Sequence, residues 1–190
     1  MIHYGALLSI LFIMLPELIF EADKNILKLD GIPVSLHCHH FNCGLIKAIE
    51  QIDYIRGIDI YVKEAAKCFE RYFKRIWKDR NLDDSEMLDS AELLYRFMGY
   101  GRIDLSALSQ GEGIVTSDSS YFVVGWFAHY GKRDTPVCHL TRGFLKGMLA
   151  ALFERDIDDF NVKEMQCMIT GAESCVFEVL RSWGDEDDAD

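Results

Sequence analysis

The chain has 190 residues, with 20 basic and 31 acidic side chains and a formal net charge of −11. Apolar residues make up 49% and aromatics 12%, which excludes intrinsic disorder, and the acidic balance argues against nucleic acid as a partner, since phosphate contacts need clustered Lys and Arg. A chain of this length forms one domain with short extensions and buries roughly 70% of its unfolded surface, so it needs no disulfide scaffold.

Residues 1–22 form an apolar N-terminal segment. Its core run, Ala6–Leu15, is shorter than the roughly 20 residues a membrane span takes. No basic stretch precedes the run, and no small-residue cleavage site follows it. Three readings stay open: a core or dimer-interface helix, a true start at Met14, or a membrane anchor. A membrane partner is not expected.

The domain itself is expected over residues 23–183. Asn25–Leu29 and Pro33–His37 flank Asp30-Gly31, which predicts a hairpin. Next comes His37-Cys38-His39-His40-Phe41-Asn42-Cys43, rich in imidazole and thiol. Such side chains suit a transition metal or haem. Extended, the segment would put His37 and His39 on one face. Its spacing matches no zinc signature, so a plain strand-to-helix junction stays open beside a metal, haem or corrinoid contact.

Helices are predicted over Cys43–Tyr54, Ile60–Lys78 and Ser85–Met98. Cys43 and Cys68 read as core thiols on the first two. Asp84 or Ser85 can cap the third, and Gly99–Gly101 stop it. Arg102–Thr116 reads as one or two strands broken at Gly111-Glu112-Gly113, and Tyr121–Tyr130 is aromatic-rich and of uncertain type. Thr135-Pro136 marks a helix start, which places Cys138 in the first turn of a helix running to about Phe153. Val162–Ile169 and Ser174–Leu180 read as strands around Gly171. The tail 184–190 is acidic and carries Asp185, Glu186, Asp187, Asp188 and Asp190, so the folded part is less acidic than the total implies. Helices and strands mix without βαβ alternation, so the fold class is α+β: an antiparallel sheet with several packed helices.

Cys167 and Cys175 sit about Gly171 as natural cross-strand partners. With Glu164 and Cys138 they make a donor set that satisfies tetrahedral zinc. Glu164 and Cys167 are three apart, so an ideal strand would oppose them, and one ion can reach both only across a bulge. Spacing alone leaves zinc and packed free thiols both open.

Ser120, Pro136-Val137-Cys138, Gly143, Gly147, Glu164-x-x-Cys167, Gly171, Cys175 and Phe177 form a combined pattern. In it the segment Ser120–Phe177 resembles the 4-vinyl reductase (hydrocarbon-binding) domain family, which includes the sensory domains of aromatic-responsive bacterial activators. The resemblance implies a structural zinc ion on Cys138, Glu164, Cys167 and Cys175, pinning the C-terminal hairpin. It also implies an apolar pocket, for which Tyr121, Phe122, Trp126, His129 and Phe144 are the candidates. His139 is a second polar handle. Where the phenol sensors carry a pocket tryptophan, this chain has Ser117, so a phenol-type ligand does not carry over. Gly143 and Gly147 imply close approach of a dimer partner or of a strand of the same chain.

The leading expectation is a stand-alone, cytoplasmic, homodimeric sensor or carrier for a small apolar or aromatic molecule. The alternative is an accessory protein or enzyme of tetrapyrrole or cofactor metabolism, with His37–Cys43 contacting a metal centre. A third is an assembly module. Reductase activity is not expected, because no G-x-G-x-x-G fingerprint occurs.

Overall fold

The computed structural model describes residues 16–52, 54–78 and 80–182. The run Ala6–Leu15 and the tail 184–190 lie outside them. Three short strands come first: β1 (Leu18–Glu21), β2 (Ile26–Leu29) and β3 (Ile32–Val34), antiparallel in the order β1-β2-β3. Leu18–Glu21 belong to the predicted apolar segment, and they pair with β2 rather than coil into a helix. Asp30 (φ 46°) and Gly31 (φ 76°) both adopt left-handed backbone, as the favoured two-residue hairpin turn requires. The Asp30 carboxylate accepts from the Tyr72 hydroxyl, which docks this hairpin onto the second helix.

Five α-helices follow among the described residues: α1 (His39–Glu50), α2 (Gly57–Trp77), α3 (Asp84–Phe97), α4 (Tyr121–Tyr130) and α5 (His139–Leu152). α2 buries Val62, Ala66, Phe73 and Trp77 on one stripe, as its periodicity predicts. Cys68 is exposed instead, off that stripe, and its sulfur accepts from Arg71. α3 is capped one residue earlier than expected. Asp83 accepts from the Glu86 N–H (2.9 Å) while Glu86 accepts from the Asp83 N–H (2.9 Å), a reciprocal capping box.

The main sheet is antiparallel. It contains β4 (Gly101–Asp104), β6 (Glu112–Ser120), β8 (Cys175–Arg181) and β7 (Phe160–Gln166) in the order β4-β6-β8-β7, with the short β5 (Leu108–Ser109) also on β6. Cys175, Phe177 and Val179 alternate inward on β8, and Phe160, Val162 and Glu164 do so on β7. The structure is thus a single α+β domain. No helix among the described residues is long and apolar enough to cross a membrane.

The aromatic run 121–130 is helical. β6 passes straight into α4, where Ser120 caps the helix by accepting from the Val123 N–H (3.4 Å). α5 is the central element and is buried on almost every side, including Gly143, Phe144, Gly147 and Met148. It packs against α2 on one side and β7 on the other. The two glycines admit α2 of the same chain, not a partner or a strand. A Cβ at Gly147 would stand 2.3 Å from the Ala66 carbonyl oxygen, and one at Gly143 2.9 Å from that of Val62.

Candidate metal centre

Four donors converge where the start of α5 meets the open end of the β7–β8 hairpin. Cys138 caps α5; it does not lie within the first turn, because the helix starts at His139, three residues after Pro136. The Cys138 N–H donates to Glu164 Oε2 (3.0 Å), so a side chain from the sheet satisfies the free end of the helix. Glu164 sits on β7. The register slips between Glu164 and Gln166, the bulge that the spacing of Glu164 and Cys167 demands. Cys167 lies just past β7, at the head of the 3₁₀ turn Met168–Thr170. Cys175 opens β8 opposite Ser117 of β6, so Cys167 and Cys175 are not paired across two strands but meet at the mouth of the hairpin.

The sulfurs form a near-equilateral triangle: Cys138–Cys167 4.0 Å, Cys138–Cys175 3.7 Å, Cys167–Cys175 3.8 Å. These separations exclude disulfides, whose S–S bond is about 2.05 Å. They suit a tetrahedral ion, because metal–sulfur bonds of about 2.3 Å hold sulfurs about 3.8 Å apart. The fourth corner is Glu164, with a carboxylate oxygen within 4.8 Å of all three sulfurs. All four residues are buried. Glu164 Oε1 is buried and has no hydrogen-bond partner, an uncommon condition for a carboxylate that a cation would relieve.

The titration behaviour follows from this crowding. Burial, together with the neighbouring Cys167, pushes the Glu164 carboxyl up to about 8. Hydrogen bonds from Cys138 and Cys167 pull the Cys175 thiol down to about 4. Cys138 moves the other way, raised by its hydrogen bonds to Cys167 and Cys175 and by burial. A divalent cation would favour the deprotonated form of every member.

Two neighbours frame the centre. Ser120 Oγ lies 3.4 Å from Cys138 Sγ, so the cap of α4 touches the metal-ligand set. On the solvent side a cleft of about 480 Å³ reaches Glu164, lined also by Glu50, Arg133, His139, Arg142 and Lys163. Glu50 anchors that wall, accepting from Arg133 (2.9 and 3.0 Å) and facing His139 Nε2 at 3.1 Å. Sequence reasoning does not find Glu50, which lies 83 residues from Arg133 and 89 from His139. No local pattern signals it.

The sequence comparisons bear on this segment. The family model for the 4-vinyl reductase domain matches residues 126–181. That span holds Cys138, Glu164, Cys167 and Cys175, so the match coincides with the buried tetrad. A similar fold is the phenol-responsive sensory domain of the transcription activator PoxR, solved with phenol. It superposes with a TM-score of 0.75 at 18% identity over 97% of this chain and 93% of that one. A vinyl-4-reductase family protein from Methanocaldococcus jannaschii aligns at 15% identity over 73% of this chain and 89% of that one, with a TM-score of 0.44. No curated protein matches.

The remaining candidates are distributed differently. Phe122, Trp126 and Phe144 are core side chains, and His129 is exposed. Trp126 lies beneath the Arg133 guanidinium, and Phe144 packs on Phe69, Phe73 and Tyr95. Tyr121 lines a groove of about 240 Å³ with Leu18, Leu29, Val34, Phe97 and Tyr100. Phe122 backs that groove by stacking on Tyr100.

In the segment 37–43 the helix starts earlier than expected, at His39, so His37 and His39 do not share a strand face. His37 bonds Ser35 Oγ (2.9 Å) and stacks on Phe41, while Cys38 is exposed at the cap position. Cys43 is fully buried, donates towards the Phe122 carbonyl (3.9 Å), and is pushed up to about 11 by burial. It is a protonated core thiol. His39 and His40 meet His129, a partner no reading of the local segment supplies.

Proposed function

We propose that this chain is a zinc-containing small-molecule-binding domain, a sensor or carrier for an apolar or aromatic ligand. The observation that carries the reading is a fold shared over 97% of the chain with a phenol-responsive sensory domain. Cys138, Glu164, Cys167 and Cys175 would hold the zinc ion. With four protein donors the site is closed, so the ion would supply cross-linking and charge rather than an open Lewis-acid position.

The residues around it divide the work. Cys138 fixes the start of α5, and Cys167 and Cys175 fix the mouth of the hairpin. Ser120 joins this set to α4, and its neighbour Tyr121 faces the apolar groove. A ligand stacking on Tyr121 and Tyr100 would therefore press on a wall held by the metal centre. Ser117 is buried opposite Cys175, so this wall carries a small polar side chain where the phenol sensors have a bulky one. That favours a ligand other than phenol. The reading includes a homodimer, for which Leu18, Ile19 and Phe20 on edge strand β1 offer an exposed apolar face. A reducing, cytoplasmic setting suits the free thiols.

Native mass spectrometry of protein purified without chelator, titrated with indole, naphthalene and phenol, tests the reading. It expects an adduct with an aromatic probe that Tyr121→Ala removes. If none of the three probes binds and none raises the melting temperature, the ligand reading is wrong.

Zinc binding should also release protons at pH 7. Glu164 stays protonated below about 8, and the Cys138 thiol is raised above its ordinary range. Both protons must leave for the donors to bind. Affinity therefore rises with pH up to and through about 8 and falls on acidification. Calorimetry in two buffers of different ionisation enthalpy reads the release, and a buffer-independent heat would contradict it.

A further inference from the structure

Three imidazoles meet on the surface where α1 and α4 pack. His39 and His40 are the first two residues of α1, and His129 lies in the last turn of α4. The meeting depends on Gly125. A Cβ there would stand 2.7 Å from His39 Cβ and 2.9 Å from Cys43 Sγ, so only glycine lets the two helices close this far. His129 lies one turn beyond Gly125 on the same face of α4. The close approach therefore sets its ring against those of α1.

The rings lie near one another: His40–His129 centroids 3.7 Å, His39–His40 4.5 Å, His39–His129 5.3 Å. One ring nitrogen of each lies within 4.8 Å of the other two. His39 Nδ1 is buried without a hydrogen-bond partner, and coordination through it would satisfy it. His129 also sits at the C-terminal end of α4, where the helix dipole favours a positive charge.

We propose that His39, His40 and His129 form a second, surface metal site, independent of the buried thiol centre. It takes a borderline divalent transition ion of the zinc, cobalt, nickel or copper type. Neutral imidazoles suit these ions and not magnesium or calcium, which take oxygen donors. Three protein donors leave a coordination position open, so the bound ion is exchangeable and can accept water or a small donor ligand. The buried site has neither property. His37 is not a ligand, because its ring is held by Ser35 and Phe41.

The test uses the full chain, dialysed until only tightly held metal remains, and titrated with Co²⁺ alone. One further cobalt per chain should bind, with visible ligand-field absorption and no near-ultraviolet sulfur-to-cobalt charge transfer. His129→Asn and His40→Gln change exposed side chains, and each should weaken that binding roughly tenfold or more, whereas His37→Asn should leave it unchanged. The tightly held metal should stay constant in all three variants, which separates this site from the buried one. No second cobalt, unchanged affinity in His129→Asn and His40→Gln, or sulfur charge transfer from the added ion would each overturn the proposal.

Discussion

Cys167→Ser removes the tightly bound metal and lowers the melting temperature by roughly 6–20 °C. The buried tetrad places three sulfurs and a carboxylate within 4.8 Å of one another, away from water. With the ion bound, their charges are compensated. Without one ligand the site opens, and the ionised Cys175 remains in the core beside Glu164. Leaving a buried charge uncompensated costs about 3–5 kcal/mol. For a domain of this size each kcal/mol is worth roughly 2–4 °C. The loss falls on one place in the fold, because Cys167 heads the turn that closes the hairpin and its carbonyl accepts from Thr170 Oγ1 (2.8 Å). Cys68→Ser is the control. That thiol is exposed on α2, and surface changes of this kind stay within about 0.5 kcal/mol. Differential scanning calorimetry with elemental analysis on both variants decides the matter. Full metal content and an unchanged transition in Cys167→Ser would contradict the account.

Gly147→Ala is expected to cost about 3 kcal/mol, or roughly 6–12 °C in melting temperature. Alanine normally favours a helix over glycine by about 1 kcal/mol, so propensity alone predicts the opposite sign. Packing decides it. The new methyl would stand 2.3 Å from the Ala66 carbonyl oxygen and 2.8 Å from the Glu70 amide nitrogen, and both are backbone atoms that cannot swing aside. α2 and α5 must separate along their shared length. Because Cys138 caps α5, the displacement also reaches the metal centre, and the variant should bind zinc more weakly than the parent. Gly99→Ala gives a useful contrast, because no atom lies within 4 Å of a Cβ there and its cost comes only from the positive φ of 75°. Thermal melts of the two variants settle the order. A Gly147→Ala protein as stable as the parent would show that the interface has slack.

The parts of the fold legible in the sequence are those set by local chemistry. Asp30-Gly31 declares its hairpin because two successive left-handed residues are cheap there. α2 declares itself through the spacing of Val62, Ala66, Phe73 and Trp77. The spacing of Glu164 and Cys167 requires a bulge, and the slip after Glu164 supplies it. The combined pattern from Ser120 to Phe177 brings together the four donors that the structure then gathers. What stays hidden depends on partners far along the chain. α4 is apolar on most sides, so periodicity cannot assign it. Pro136 fits a first helical position, yet α5 starts later because Glu164 holds the Cys138 N–H. Cys68 looks like core until the stripe of α2 is fixed by what packs on it. His129 has no local link to His39, and only the gap at Gly125 brings them together.

The central claim is that three thiolates and one carboxylate hold a structural zinc ion. Zinc-edge X-ray absorption on protein dialysed against a mild chelator addresses it directly. The account predicts one retained zinc per chain with three sulfur neighbours at about 2.3 Å and one oxygen at about 2.0–2.2 Å. A protein that retains no zinc, or a retained zinc surrounded by nitrogen, would contradict it.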